Sequence, residues 1–191
     1  MGYVLLIRHG ESTANTLGLI SDDLEGYPLT EKGRRQAERT ARELAGIPVD
    51  HILTSPVQRC RETATVIGNA IGRKPEIDPR IRETGMGRLS NTKLEDLPEG
   101  TRETLGMESW ASHVQRMRSA VEECTGTCII VSHAFPIRSL IASYLGLDEI
   151  ESHGIEIGFA SISFIESSKA NVMQIGSRRL SERVRRLLTA E

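Results

Sequence analysis

The 191-residue sequence has few cysteines, little net charge and no long hydrophobic segment. Its three cysteines, Cys60, Cys124 and Cys128, form no C-x-x-C motif, so we expect buried, reduced thiols and no disulfide framework. The formal net charge of −2 provides no overall basic field for nucleic-acid binding. No apolar run approaches the roughly 18 residues typical of a membrane-spanning helix.

Several functional motifs are also missing. The first ten residues, MGYVLLIRHG, lack a basic n-region and an apolar run long enough for a signal peptide. No G-x-x-x-x-G-K-[ST] motif is present, which argues against a P-loop NTPase. The H-x-E pattern at His9–Glu11 has no later P-C-x-x-C, so we expect no zinc site. We therefore expect a cytoplasmic protein without nucleic-acid or membrane partners, and the sequence does not indicate its oligomeric state.

Short apolar strands alternate with amphipathic helices along the chain. Strands are predicted at 3–7, 49–55, 75–78 (weakly) and 127–133, with a hairpin at 155–165 and 171–175. Helices are predicted from Thr30 to about 44, from a Ser55-Pro56-Val57-Gln58 capping box to about 71, at 107–123, at 136–145 and around Leu180, Val184 and Leu187. This alternation predicts an α/β fold with three α/β/α layers, a mostly parallel sheet and helices on both faces.

Two segments have no regular pattern. Residues 10–28 are rich in glycine and aspartate, and we expect a loop there. Residues 79–106 are too numerous for a simple connection, so they predict a partly ordered excursion near a functional site. The length of the chain suits a single domain over 1–191.

Basic side chains and histidines follow the predicted strands. Arg8 and His9 end the first strand, Arg59 lies one helical turn after the strand that ends at Ser55, and His133 ends the strand at 127–133. Because the carboxyl ends of parallel strands share one edge, where ligands bind in such sheets, these side chains are expected to converge.

This set of residues suits phosphoryl transfer. Arginine forks match phosphate oxygens, and a neutral histidine can form a covalent intermediate. We predict that His9 attacks phosphorus while Arg8, Arg59 and His133 compensate the oxygen charges. The two arginines would also hold the pKa of His9 low.

The leaving alkoxide requires a proton donor. Glu83 in the 79–106 excursion is the first candidate for this acid. Four other carboxyl groups of the same excursion remain open as alternatives: Glu95, Asp96, Glu99 and Glu103.

The ordered motifs resemble the histidine phosphatase superfamily, which has the phosphoglycerate mutase-like fold. They are R-H-G-E at 8–11, Asn15, PLTEKGRRQA at 28–37, TSPVQRCRETA at 54–64, IRE at 81–83 with Gly87, Glu108-Ser109, VSH at 131–133 and Arg138. The resemblance covers most of the chain. It implies that His9 accepts the phosphoryl group, that Arg8, Arg59 and His133 form the phosphate pocket, and that Glu83 is the proton donor.

The resemblance also implies further contacts and leaves the reaction open. Asn15 and the backbone N–H of Ala134 are expected to contact phosphate, and no metal or organic cofactor is implied. Two positions depart from the family pattern: Gly87–Asn91 replaces a Gly-Glu-Trp-Glu-Gly-like run, and Ala134 replaces a common glycine. These departures leave open which small-molecule phosphomonoester is the substrate.

Three functions remain after this comparison. A cofactor-dependent phosphoglycerate mutase typically carries an E-R-H-Y-G run and a longer chain, whereas this chain has Glu83-Thr84-Gly85-Met86-Gly87. We therefore favour a phosphatase over a mutase. A non-catalytic module that binds phosphorylated ligands is the third alternative, and it would not require His9.

Other charged residues have simpler interpretations. His51, His113 and His153 are expected at the surface. Arg59 could instead pair with Glu62. Arg61 and Arg138 would either line the pocket rim or form ordinary salt bridges.

Overall fold

The computed structural model describes residues 2–190, in which eight strands and six α-helices alternate along the chain. The strands are β1 (Gly2–Arg8), β2 (Leu19–Ile20), β3 (His51–Thr54), β4 (Glu76–Ile77), β5 (Thr92–Lys93), β6 (Gly126–Ser132), β7 (Ile162–Glu166) and β8 (Asn171–Ser177). The helices are α1 (Thr13–Thr16), α2 (Glu31–Glu43), α3 (Gln58–Ile71), α4 (Trp110–Glu122), α5 (Ala134–Leu145) and α6 (Glu182–Thr189).

Six strands form the central sheet in the order β4-β3-β6-β1-β7-β8. The strands β4, β3, β6 and β1 are parallel, and β7 and β8 are added antiparallel at one edge. Arg8 pairs with Ser132 and Thr54 with Val131, so the carboxyl ends of β1, β6 and β3 lie side by side. The predicted mostly parallel sheet and hairpin are confirmed.

Helices cover both faces of the sheet. In β1, Leu5 and Ile7 face the side covered by α2, α3 and α6, whereas Val4 and Leu6 face α4 and α5. All four side chains are fully buried. Burial on both faces explains why β1 is a continuous apolar run, and the layers confirm the three-layer prediction.

The start of α2 agrees with the prediction and the start of α3 does not. The side chain of Thr30 accepts a hydrogen bond from Gly33 N, as a helix N-cap does. The Ser55-Pro56-Val57-Gln58 capping box is wrong, because α3 begins at Gln58 without a side-chain cap. Ser55 precedes the N-cap residue of α3, and its Oγ instead contacts Nε2 of the buried His133 at 2.9 Å.

Other boundaries differ from the predictions by a few residues. α5 begins at Ala134, two residues before Pro136, because proline is tolerated in the first turn of a helix. α4 begins at Trp110, three residues later than predicted, because Ser109 caps it by accepting a hydrogen bond from Ser112 N. β7 begins only at Ile162, because the carbonyls before it bind arginine side chains.

The two irregular segments order each other. The 10–28 loop contains α1 and β2, which the sequence analysis did not predict, and β2 pairs with β5 of the 79–106 segment. Backbone bonds from Asn91 N to Ile20 O and from Leu94 N to Gly18 O extend this contact. Short 3₁₀ turns at 79–81, 87–89 and 94–96 give the excursion its partial order.

Candidate active site

Four polar side chains from different elements meet at the carboxyl edge of the sheet. His9 follows β1, His133 follows β6, Arg59 lies in the first turn of α3, and Glu83 follows the 79–81 turn. Their exposed fractions are 2%, 0%, 3% and 7% in that order. The predicted convergence of strand ends is therefore observed, and burial makes hydrogen bonding among these groups strong.

His9 is held in one neutral tautomer. Arg59 Nε can only donate, and it lies 3.1 Å from His9 Nε2, so Nε2 is the acceptor. The ring proton is then on Nδ1, which donates to Gly10 O at 2.7 Å. Burial, and then the charges of Arg59 and Arg8, lower the pKa of His9 well below its usual value. His9 therefore presents an unprotonated Nε2, the form required of a nucleophile.

Glycine is required beside His9 by a close backbone approach. A Cβ at Gly10 would lie 2.4 Å from Gly33 O, and a Cβ at Gly33 would lie 1.9 Å from Glu11 O. Gly10 N also donates to Thr63 Oγ1 at 3.1 Å. The loop that carries His9 is thus fixed directly against the first turn of α2.

Arg59 links the two histidines. Its Nη2 donates to His133 Nδ1 at 3.1 Å and to Ser21 O at 2.9 Å. The alternative pairing with Glu62 is wrong, because the Glu62 carboxylate accepts hydrogen bonds from Leu29 N and Gln58 Nε2.

Glu83 is the carboxyl group of the excursion that joins the cluster. Its Oε2 lies 3.4 Å from His133 Nδ1 and 3.7 Å from Arg59 Nη2. Burial raises the pKa of Glu83 above its ordinary value, against the lowering effect of Arg59. A raised pKa favours the protonated form that an acid catalyst needs. The four alternatives, Glu95, Asp96, Glu99 and Glu103, are all exposed.

Arg8 lies beside the cluster with unused donors. Its Nη1 donates to Ile157 O at 2.8 Å, and its guanidinium lies 4.0 Å over the Phe159 ring. Burial lowers the pKa of Arg8 to about 10. Arg8 Nε and Arg59 Nη1 are buried and have no hydrogen-bond acceptor within residues 2–190. Such donors are rare in folded proteins and indicate an anion-binding pocket.

Comparison with known proteins agrees with this geometry. The sequence model of the histidine phosphatase superfamily (branch 1) matches residues 4–173. The chain belongs to the histidine phosphatase superfamily. It is also 34% identical over 200 residues to the 2,3-bisphosphoglycerate-dependent phosphoglycerate mutase of Thermoplasma acidophilum, with 100% of both chains covered.

Solved structures share the fold of this superfamily member. A mycobacterial glucosyl-3-phosphoglycerate phosphatase has a TM-score of 0.79 at 24% identity, with 92% of this chain and 98% of that chain covered. The alpha-ribazole phosphatase of Shigella flexneri has a TM-score of 0.77 at 24% identity, with 94% and 98% covered. The phosphoglycerate mutase-like fold is thereby confirmed.

Within residues 2–190, no helix has the length and hydrophobicity needed to cross a bilayer.

Two side chains that the sequence analysis did not place in the site, Ser55 and Cys60, orient His133. Because His133 Nδ1 accepts from Arg59, its proton is on Nε2, which donates to Ser55 Oγ at 2.9 Å. Cys60 Sγ lies 3.3 Å from the same nitrogen and donates to Ser132 O. Burial raises the pKa of Cys60 to about 12, so it stays a thiol. All three cysteines are free and buried, as predicted.

Asn15 and Ala134 lie at two helix starts. Asn15 Oδ1 accepts hydrogen bonds from Ser12 N and Ser12 Oγ, and these bonds cap the first turn of α1. Ala134 is the first residue of α5, so its N–H has no acceptor inside the helix. Within the described residues no hydrogen bond joins the Asn15 side chain to His9 or His133, and its phosphate contact stays a prediction.

An ion pair behind Glu83 was missed in the sequence analysis. Arg116 donates to the carbonyls of Arg80, Arg82 and Glu83, and it forms two hydrogen bonds with the Glu108 carboxylate. Glu108 Oε2 also accepts from Gly85 N at 3.1 Å. Arg116 lowers the pKa of Glu108 to about 2, against the effect of burial. The pair therefore fixes the backbone on both sides of Glu83.

Replacing Arg116 by leucine is expected to destabilise the protein by about 2 kcal/mol, because the half-buried Glu108 carboxylate loses its two hydrogen bonds from Arg116. Urea unfolding of R116L against the parent measures this change. Arg118, exposed on the same helix, provides the matched variant R118L, which should stay within about 0.5 kcal/mol. Equal stabilities of R116L and R118L would contradict the assignment.

One histidine prediction is wrong. His113 is 0% exposed, because α4 turns it inward, where its Nε2 lies 3.2 Å from Thr84 Oγ1. Burial lowers its pKa to about 3. His51 and His153 are exposed, as predicted.

Arg61 and Arg138, which the sequence left open between the pocket rim and ordinary salt bridges, have different partners. Arg61 forms an ordinary salt bridge with Glu25 at 2.6 Å. Arg138 has no carboxylate partner among residues 2–190; its Nε donates to Ile155 O and its guanidinium lies 5.2 Å from the centre of the Phe135 ring.

Proposed function

We propose that the protein hydrolyses small phosphate monoesters through a phosphohistidine at His9. The observation that carries the proposal is the unprotonated Nε2 of His9 beside buried arginine donors, Arg8 Nε and Arg59 Nη1, that have no protein acceptor. A substrate phosphate would accept from both donors while its phosphorus faces His9.

In the first step, His9 Nε2 forms a bond to phosphorus and the bond to the ester oxygen breaks. Arg8 and Arg59 stabilise the charge on the non-bridging oxygens, and His133 positions the Arg59 guanidinium by accepting a hydrogen bond from Nη2. The Glu83 carboxyl group gives its proton to the leaving alkoxide, and the alcohol departs.

In the second step, water replaces the alcohol. The Glu83 carboxylate removes a proton from water while the water oxygen forms a bond to phosphorus. The bond between phosphorus and His9 Nε2 breaks. Inorganic phosphate is released, and His9 and Glu83 regain their starting protonation states.

Phosphoglycerate mutase activity is the second candidate. The full-length relative named as a mutase supports it, and that alignment also removes chain length as an argument against it. The loop after Glu83 still favours hydrolysis. In residues 84–91 the one basic side chain is Arg88, which is exposed and donates to Thr104 O, so the loop provides no buried cation for a substrate carboxylate.

The two candidates differ in the products formed from 3-phosphoglycerate. A phosphatase releases inorganic phosphate whether or not 2,3-bisphosphoglycerate is present. A mutase forms 2-phosphoglycerate, and its rate rises with the bisphosphate. Isomerisation faster than phosphate release would overturn the hydrolase assignment.

Replacing Glu83 by glutamine is expected to lower kcat/KM for alkyl phosphates by about 10²–10⁴-fold. The loss with p-nitrophenyl phosphate should be much smaller, because p-nitrophenolate leaves without a proton. The measurement is kcat/KM of E83Q on both substrates, because kcat/KM ends at release of the alcohol and excludes the later water step that both substrates share. In the parent, kcat/KM for alkyl phosphates should fall as pH rises through the raised pKa of Glu83, since only the protonated acid donates.

E103Q is the matched control, because Glu103 is exposed in the same segment. It should keep the parent rate on both substrates. An equal loss of kcat/KM in E83Q for alkyl and p-nitrophenyl phosphates would remove Glu83 from the role of proton donor.

A further inference from the structure

A second cationic cavity lies beside the active site. It has a volume of about 300 Å³, between α2 and the turn that ends at Ala160. Four cations line it: Lys32, Arg35, Arg39 and Arg178. The first three share one face of α2 because their spacing follows the helical repeat. Arg178 comes from the segment after β8, so two separate elements contribute charge.

The charge of this cavity is only half compensated. Lys32 pairs with Glu11 at 2.7 Å and Arg35 with Glu31 at 3.1 Å. Among the described residues, Arg39 and Arg178 have no carboxylate oxygen within 4.0 Å. Two uncompensated guanidinium groups therefore face a cavity whose volume lies at the lower end of the range for small-molecule pockets.

The neutral wall of the cavity also contacts the active site. Phe159 lines the cavity, and its ring packs against the Arg8 guanidinium at 4.0 Å. Ala160 N donates to His9 O at 3.2 Å, and Ala160 O accepts from Thr40 Oγ1 at 2.6 Å. A ligand in the cavity would thus touch the residues that hold Arg8 and the backbone of His9.

We propose that this cavity binds a second phosphate-bearing anion, separate from the substrate, and that this binding is sensed at His9 through Phe159 and Ala160. Arginine forks bind phosphate oxygens in pairs, and Arg39 and Arg178 can supply this contact from two separate elements of the cavity lining. A small phosphorylated metabolite fits both the charge and the volume.

Pyrophosphate is the probe, and amide NMR shifts locate where it binds. In the parent, the amides of Gln36 and Thr40 should report the cavity, and that of Ala134 should report the active site. Replacing Arg39 and Arg178 by glutamine should weaken the response at Gln36 and Thr40 by at least about tenfold. The response at Ala134 should remain.

The matched control replaces Arg34 and Arg42, which are exposed on α2 outside the cavity, by glutamine. It removes the same charge and should leave both responses at parental strength. The proposal is overturned if Gln36 and Thr40 show no saturable shift in the parent at millimolar pyrophosphate, or if both double variants weaken binding equally. Because no turnover is measured, failure here is distinct from failure of the proposed hydrolase.

Discussion

Replacing His9 by alanine is expected to lower kcat by between about 10⁴- and 10⁶-fold, as loss of a covalent nucleophile does. Hydrolysis would then lack the covalent step, and the remaining residues could only bind and polarise the substrate. The measurement is the steady-state rate with p-nitrophenyl phosphate, a substrate that needs no proton donor and so isolates the nucleophile. H9A should also fail to form the acid-labile, base-stable phosphoenzyme expected of the parent.

H51A is the control for this substitution, because His51 is an exposed histidine at the start of β3. It should keep the parent rate and the phosphoenzyme. A phosphoenzyme of unchanged yield in H9A would place the acceptor elsewhere. Retained turnover would favour a different reaction path on the same fold.

Replacing Arg59 by alanine is expected to reduce kcat/KM by about 10³–10⁵-fold, the range measured when an arginine that stabilises a transferring phosphoryl group is lost. Arg59 contacts both histidines and lies beside Glu83, so its removal affects every group of the cluster. R59K should recover little activity, because an ammonium cannot donate from two fixed positions to both rings.

R61A is the matched control, since Arg61 lies on the same helix and pairs with Glu25 at the surface. It should stay within about threefold of the parent. Circular dichroism of R59A and R59K checks that the helix and sheet remain. Folded R59A with near-parental kcat/KM would contradict the phosphate-binding role.

The sequence was sufficient to predict the parallel sheet and the meeting of its strand ends. The reason is that β1 and β6 are apolar runs buried on both faces, and a histidine follows each of them directly. The apolar repeat of α2 and its Thr30 cap are equally local signals. Glu83 needed the family resemblance, because four other carboxyl groups of its segment had comparable spacing.

The remaining features depend on contacts between distant segments. Ser55 matches a capping box, but its hydroxyl is taken by His133, which lies 78 residues away in the chain. From the sequence, Arg116 looks like an exposed residue of a helix. Only the folded 79–83 segment brings three carbonyl groups to its guanidinium. His113 is predicted at the surface from the sequence, and only the packing of α4 against the segment that carries Thr84 buries it.

The opposite tautomers of the two histidines determine how protons move in the proposed cycle. The single ring proton of His9 is on Nδ1, bonded to Gly10 O, and it can stay there while Nε2 gains and loses the phosphoryl group. The ring proton of His133 faces Ser55, away from the substrate. Neither imidazole therefore needs to exchange a proton during turnover, and Glu83 alone would carry each proton between the alcohol and water. The site separates the bond-forming role from the proton-carrying role, and assigns each to a different side chain.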